Sequence, residues 1–173
     1  MEPGTFFLII LLIFTAWVIF IYNHLVQLRE NIKSGWLQID VQLKRRHDLL
    51  PRLTETAGTH LHQRQSLFVN TARAGQIAGE AKSLKDIQDS ENNLTTALAN
   101  LFAAADNDLS CKSDPQLARL REELDSTQKK IALARQYYND EVHRLNAALQ
   151  MFPNHLIAKF FRFGSRPSFE LKD

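Results

Sequence analysis

The first third of the chain holds one long apolar run followed by a regular alternation of apolar and polar positions. Residues 6–21, FFLIILLIFTAWVIFI, contain no charged side chain. After this run, apolar residues recur at steps of three and four: Leu25, Leu28, Ile32, Trp36, Ile39 and Leu43. Such steps place apolar side chains on one face of an α-helix. The pattern predicts one long helix that begins in the apolar run and becomes amphipathic.

A helix over residues 6–26 would rise about 31 Å, which is enough to cross the hydrocarbon core of a bilayer. We therefore predict a transmembrane helix at 6–26 in contact with lipid, after a short extracytoplasmic N-terminus at 1–5. A cleaved signal peptide would begin with basic residues and end with small ones, whereas MEPGT precedes the run and bulky residues follow it. Arg29 and Lys33 flank only the C-terminal side, so the positive-inside rule predicts that the rest of the chain is cytoplasmic.

The rest of the chain also reads as helical, with no alternating strand pattern. A helix is predicted at 84–105 after a short connection near 78–83, and another at 115–151, with Asp114 as its N-cap. We predict an all-α fold, an antiparallel helical bundle of the up-and-down type over residues 27–152, with four helices expected. The aromatic and basic C-terminal tail at 153–173 is predicted to lack a regular element.

The segment VQLKRRHDLLP, residues 41–51, poses a question of local structure. A proline inside a helix costs about 3 kcal/mol and kinks it, but proline is well tolerated in the first turn of a new helix. The unbroken apolar phase favours a kink, whereas Asp48 could cap a new helix three residues before Pro51. We predict a break between His47 and Leu50.

The same segment does not support a nucleic-acid site or a metal site. Three cations are too few for a nucleic-acid site, and the balance of 21 basic and 19 acidic residues argues against a general polyanion binder. His47 and Asp48 point about 100° apart on a helix and cannot chelate a metal together. We predict a structural role for these cations at a helix end, with a protein contact through Arg45 and Arg46 as the alternative.

Neither composition nor motifs point to catalysis. The lone cysteine, Cys111, excludes an internal disulfide and a cysteine-based zinc cluster. Nucleophile, phosphate-binding and zincin motifs are missing from the sequence. We therefore predict no enzyme activity, no cofactor, no metal site and no nucleic-acid partner.

Three stretches carry a resemblance to a known family. They are YNHLVQLRENIKSGWLQIDVQLKRRHDLLPRL at 22–53, LREELDSTQKKIALARQYYNDEVHRLN at 120–146, and FPNHLIA at 152–158. In this order and spacing the chain resembles LemA family proteins, bacterial single-span membrane proteins with a cytoplasmic helical bundle. The resemblance implies a cytoplasmic four-helix bundle anchored by one span in the bacterial inner membrane, with no established catalytic activity and no active-site residues.

The first functional hypothesis is a membrane-anchored scaffold or adaptor with an unknown protein partner. An antiparallel bundle would return its C-terminal tail to the membrane, where aromatic and basic residues could meet lipid. They are Lys159, Phe160, Phe161, Arg162, Phe163, Arg166 and Phe169. Alternatively, these aromatic residues close the end of the bundle. The second hypothesis is a self-assembling homo-oligomer that organises the bilayer, with Leu37, Val41 and Val69 as contacts. The third, a ligand sensor or enzyme, lacks a convergent set of ionisable residues.

Overall fold

The computed structural model describes residues 3–60 and 65–171, and the predicted all-α fold is confirmed over these residues. The described part contains helices and connecting segments without a strand. The helices are α1 (Pro3–His60), α2 (Gln65–Glu80), α3 (Leu84–Asp106), α4 (Leu109–Lys112), α5 (Pro115–Gln150) and α6 (Asn154–Phe160). Residues 1–2 of the predicted extracytoplasmic N-terminus and residues 172–173 of the predicted tail lie outside the described residues.

Helix α1 continues through Pro51, so the predicted break between His47 and Leu50 is wrong. Proline lacks the amide hydrogen that would bond to the carbonyl four residues earlier. Buried apolar side chains lie on both sides of it: Leu49, Leu50, Leu53 and Ala57. Burying a leucine contributes about 1.5–3 kcal/mol, so this packing offsets the cost of an internal proline. The tertiary environment, rather than local capping, therefore decides the conformation here.

One glycine in α2 allows a close approach of helices. A Cβ atom at Gly75 would collide with Cδ1 of Leu50, whereas one at Gly79 would lie 3.8 Å from Nδ1 of His47, an ordinary contact distance. Both glycines lie within α2, which ends only at Glu80. The small size of Gly75 therefore serves packing against α1.

The starts of α3 and α5 are capped by a side chain, one of them as predicted. At the start of α5, Oδ1 of Asp114 accepts hydrogen bonds from the amides of Gln116 at 2.7 Å and Leu117 at 2.9 Å. The predicted N-cap is therefore confirmed. At the start of α3, the hydroxyl of Ser83 accepts from the amide of Asp86 at 3.1 Å.

The chain forms two compact units. Unit 1 contains Met1–Trp36 and Gln136–Ser168, and unit 2 contains Leu37–Arg135 and Phe169–Asp173. Helices α1 and α5 contribute residues to both. Unit 2 has a contiguous apolar core that draws on α1, α2, α3, α4 and α5: Leu49, Leu50, Leu53, Ala57, Phe68, Ala78, Leu94, Leu98, Leu101, Ala104, Ala105, Cys111, Leu117, Leu120 and Leu124.

Helix α6 lies in the tail, where no regular element was predicted, so that prediction is wrong for Asn154–Phe160. The residues from 163 to 171 have no helix or strand, as predicted. Ile157 and Ala158 of α6 are buried. This burial supplies the stabilisation that a seven-residue helix lacks on its own.

Candidate functional site

A cluster of buried charged residues lies in unit 2, centred on Glu91 of α3. One carboxylate oxygen accepts a hydrogen bond from the Arg46 guanidinium at 3.0 Å, and the other lies 2.5 Å from Nε2 of His47. Arg46 also donates to the hydroxyl of Thr95 at 2.8 Å. The side chain of Glu91 is fully buried, and only 5% of the Arg46 side chain is exposed. The cations of the KRR segment thus include one half of a buried ion pair.

The charges of the cluster are compensated by its own members. Burial lowers the pKa of the Arg46 guanidinium, and the neighbouring Glu91 carboxylate opposes that shift. Removing one partner of such a pair leaves an uncompensated buried charge, which costs about 3–5 kcal/mol. Because both carboxylate oxygens of Glu91 are engaged within unit 2, the arrangement points to a structural role.

The structure separates the two arginines that the sequence grouped as a protein contact. Arg46 is buried against Glu91, whereas Arg45 is exposed on the next position of α1. Of the two, only Arg45 presents its charge to a partner. Sequence reasoning missed Glu91, which lies in the polar stretch DSENN and carries no local signal of burial.

The described residues offer little support for a metal site or for a reactive cysteine. Among the described residues, no group of three or more His, Cys, Asp or Glu side chains is placed to hold a metal ion. Cys111 is buried in the core of unit 2. Burial raises the pKa of its thiol, and Asp108 and Asp114 raise it further. A raised pKa lowers the fraction of reactive thiolate at neutral pH.

In unit 1, α1 begins with an apolar segment that the rest of the protein does not cover. Apart from the half-buried Val18, the side chains from Gly4 to Phe20 are exposed, and burial begins at Ile21 and Leu25. The helix has a window of mean hydropathy 2.7 and is long and apolar enough to cross a membrane. We call residues 6–20 the exposed apolar segment.

Aromatic rings meet at the end of that segment. The ring of Tyr22 lies 4.7 Å from the ring of Phe161 and 5.9 Å from that of Phe163, between centroids. The Arg29 guanidinium lies 5.6 Å from the centroid of Phe163. The tail therefore contacts α1 immediately after the exposed apolar segment.

The seven tail residues predicted to meet lipid are placed differently from one another. Lys159, Phe160, Phe161, Arg162 and Arg166 are exposed, and Phe163 is half-buried. Phe169 is fully buried and belongs to unit 2. For Phe169 the alternative reading, an aromatic residue that packs on helices, describes its position. The structure adds exposed Phe152 and Leu156, which the prediction did not include.

The tail is attached to α5 through its backbone. The side chain of Asn146 donates to the carbonyl of Arg166 at 2.8 Å and accepts from the amide of the same residue at 2.9 Å. The hydroxyl of Tyr138 donates to the carbonyl of Pro167 at 3.1 Å. Burial raises the pKa of Tyr138, so the phenol remains the donor at neutral pH.

An apolar groove of about 430 Å³ lies on unit 2, between α1 and α5. Its exposed apolar lining residues are Leu37, Val41 and Leu133. Gln42 also lines the groove, and the side-chain oxygen Oε1 of Gln42 is buried without a hydrogen-bond partner. The predicted contact residues Leu37, Val41 and Val69 are all exposed.

Fold and site together define an all-helical protein whose N-terminal helix carries an exposed apolar segment long enough to cross a membrane. Comparison with families of known proteins is more specific. The chain belongs to the LemA family, whose model matches residues 35–173. This match confirms the resemblance noted in the sequence. A search among curated proteins found no match.

Proposed function

We propose that the protein is a membrane-anchored scaffold or adaptor that acts by binding other molecules rather than by catalysis. One observation supports this most: α1 runs uninterrupted over Pro3–His60, from the exposed apolar segment into the residues of both units. The buried residues Arg46 and Glu91 and the half-buried His47 pair with one another, and only His47 of the three lines a cavity in the described part of the chain, so they do not form a convergent catalytic set. The exposed Arg45 is a candidate contact for a protein partner.

The proposed location is the bacterial inner membrane, with a single span, the N-terminus outside and the remaining chain in the cytoplasm. The exposed Arg29 and Lys33 follow the span, and the positive-inside rule places such cations in the cytoplasm. The proposed architecture is an antiparallel bundle built on the long helices α1, α2, α3 and α5. Within unit 1 the contacts Asn31–Glu141 and Trp36–Tyr138 run in opposite order along α1 and α5, as antiparallel helices require.

Photo-crosslinking in native membranes tests the adaptor role. A photoreactive residue would replace Arg45 in the full chain, and the control would replace Asp125, which is exposed on α5. We expect a discrete crosslinked protein from position 45 that is missing from position 125 and is lost when Lys44 is changed to Glu. The same weak, diffuse crosslinks from both positions would contradict a specific contact at Arg45.

Self-assembly is the second candidate, and the apolar groove of unit 2 supports it. Leu37, Val41 and Leu133 together form an exposed apolar patch, which is typical of protein interfaces. Membrane anchoring would hold copies of the chain in one plane, which raises their effective concentration. We propose that two copies pack through this groove.

Disulfide crosslinking tests the self-assembly. In a Cys111→Ala background, Val41→Cys should form a disulfide-linked dimer in membranes on mild oxidation. Leu109→Cys is the matched control, because Leu109 is more exposed than Val41 and lies outside the groove. Equal dimer yields from the two variants would show that collisions, rather than the groove, produce the crosslink.

A further inference from the structure

We propose that α6 and its flanking residues form a second lipid-contact surface, which lies in the headgroup region of a membrane that contains anionic lipid. The proposal rests on the proposed membrane anchor. It adds that α6 of unit 1 also binds lipid, at the surface of the same membrane. Its evidence is the depth of Tyr22, the exposed apolar face of α6, the charge of the surrounding chain and the end of α6.

The depth of Tyr22 in the bilayer follows from the length of the exposed apolar segment. Its 15 residues, 6–20, rise about 22 Å, which is less than the hydrocarbon thickness of about 30 Å. If α1 crosses the bilayer, its next turns must therefore also lie in the apolar or interfacial region. Tyr22 lies in these turns, and the rings of Phe161 and Phe163 contact it. The end of α6 is thus held at the membrane boundary.

The apolar face of α6 is exposed, with only local ring contacts among the described residues: Phe160 with Phe161, and Phe152 with His155. Leu156 and Phe160 lie four residues apart, which places them on one side of the helix. Phe152 precedes the helix, and the exposed fractions of Phe152, Leu156 and Phe160 are 78%, 54% and 80%. Ile157 and Ala158 of α6 are buried. A short helix that buries one side and exposes large apolar side chains on another is typical of an interfacial element.

The charge of the region fits an anionic surface. Residues 142–169 contain no Asp or Glu; Arg144 pairs with Glu141 at 2.8 Å, whereas Lys159, Arg162 and Arg166 are exposed cations. Lys159 and Arg162 flank the exposed ring of Phe160. Apolar side chains between cations match the boundary of a membrane, where acyl chains meet negative headgroups.

The way α6 ends also keeps a cation at this surface. Helix α6 closes with the amide of Phe163 bonded to the carbonyl of Ala158 at 2.8 Å and the amide of Arg162 bonded to the carbonyl of Lys159 at 3.3 Å. This is a Schellman arrangement, whose left-handed position is usually glycine. Here Arg162 occupies it with φ of 57°, although Gly164 lies only two residues further on. A non-glycine residue in this conformation is strained, and such strain is a ground for proposing a role for its side chain.

These observations change the set of residues assigned to the lipid surface that the sequence predicted. Lys159, Phe160, Phe161 and Arg162 belong to it, and Phe152 and Leu156 are added. Phe163 instead packs beneath Arg29, and Phe169 is buried in unit 2. The surface therefore lies on α6, not along the whole tail.

Depth-dependent fluorescence quenching in vesicles tests the proposal. The full chain would carry a single cysteine in a Cys111→Ala background, labelled with an environment-sensitive dye and placed at Phe160, Phe14 or Lys33. Phe14 lies in the exposed apolar segment, and Lys33 is an exposed residue of unit 1 about 16 Å further along α1 than Tyr22. The vesicles contain phosphatidylcholine and phosphatidylglycerol with bromine on the acyl chains.

We expect the brominated lipid to quench the dye at Phe14 and at Phe160, at least twofold more than at Lys33. Quenching at Phe14 but not at Phe160, in any lipid mixture, would overturn the proposal and leave the anchor intact. A protein partner would then be the better occupant of the α6 face. A dye at Phe14 that is not quenched would instead overturn the proposed membrane anchor. Phe152→Cys provides a second position for which the same result is expected.

The charge of the surface is tested in the same vesicles. Changing Lys159 and Arg162 together to Glu should reduce quenching at Phe160 at least twofold, as should omitting phosphatidylglycerol. The matched control changes Lys82 and Lys85 to Glu, two exposed cations of unit 2 outside the groove, and should leave quenching unchanged. Equal quenching in all of these conditions would overturn the preference for anionic lipid.

Discussion

The two units differ in how far they cover their apolar side chains. Unit 2 packs a contiguous core from α1, α2, α3, α4 and α5 and encloses an ion pair, Arg46 with Glu91. Unit 1 leaves apolar side chains exposed over residues 6–20 and on α6. In water such exposure costs about 25 cal/mol per Å² of apolar surface. Unit 2 therefore has an apolar core of its own, with an exposed patch at the groove of Leu37, Val41 and Leu133, whereas the exposed apolar segment of unit 1 is a continuous run that the chain does not cover.

The largest expected effect on unit 2 comes from its buried ion pair. Glu91→Ala should lower the free energy of unfolding by about 3–5 kcal/mol, because it leaves the Arg46 guanidinium buried without its carboxylate. Denaturant unfolding of the full chain in detergent micelles measures this. Replacing both residues, Arg46→Met with Glu91→Leu, should recover most of the loss. A loss below about 1 kcal/mol in the single variant would contradict a buried pair.

The close approach of α2 to α1 gives the next largest effect. Gly75→Leu should destabilise the protein by about 1–3 kcal/mol, because its side chain would collide with Leu50. Gly58→Ala is the matched control in α1, since nothing lies within 4 Å of a Cβ there. It should stabilise the protein by about 0.5–1 kcal/mol. Thermal unfolding of both variants should give changes of opposite sign, and a shared sign would refute the packing role of Gly75.

In unit 1 the hydrogen bonds that attach the tail to α5 should contribute less to stability than the packing of Gly75 in unit 2. Asn146→Ala removes two hydrogen bonds to the backbone of Arg166, each worth about 0.5–1.5 kcal/mol. Hydrogen exchange should speed up at the Arg166 amide while the core amides of unit 2 remain unchanged. His143→Ala, an exposed position on the same helix, is the control and should alter neither. Faster exchange throughout unit 2 would show that the two units are not independent in this respect.

The smallest expected effect comes from a surface pair of unit 2. The Arg121 guanidinium donates to Asp106 at 2.6 Å and, mainly through that bond, lowers the pKa of the Asp106 carboxyl. A lowered pKa in the folded state means that the pair stabilises the protein above the ordinary pKa of about 3.8 and loses this effect as pH falls. Arg121→Ala should raise the Asp106 pKa towards its ordinary value in an NMR titration. An unchanged titration curve would argue against the pair.

The sequence predicted the features that depend on local chemistry. The cap at Asp114 and the helix predicted at 84–105, observed as Leu84–Asp106, were found from residue type and spacing alone. The break near Pro51 was predicted wrongly because burial on both sides of a proline is a tertiary effect. Glu91 was missed for the same reason, since only the fold brings it to Arg46.

The site in unit 1 was predicted only in outline. Its aromatic and basic composition was evident, but α6 was not, because Gly164 and Pro167 suggested irregular structure. The spacing of Leu156, Ile157 and Phe160 at three and four residues was the signal that could have revealed it. The burial of Phe169 could not be read from the tail, where it resembles the other phenylalanines.

Resistance of the full chain to alkaline extraction from membranes tests the central claim, that unit 1 is completed by a bilayer. The wild-type chain should remain in the membrane pellet, and the Ile10→Arg, Phe14→Arg variant should move to the supernatant, because arginine at the centre of a span costs about 2.5–3.5 kcal/mol per residue. Leu37→Arg with Val41→Arg, two equally apolar exposed positions of unit 2, should stay in the pellet. A wild-type chain that is extracted completely, or an anchor variant that is retained like wild type, would contradict the claim.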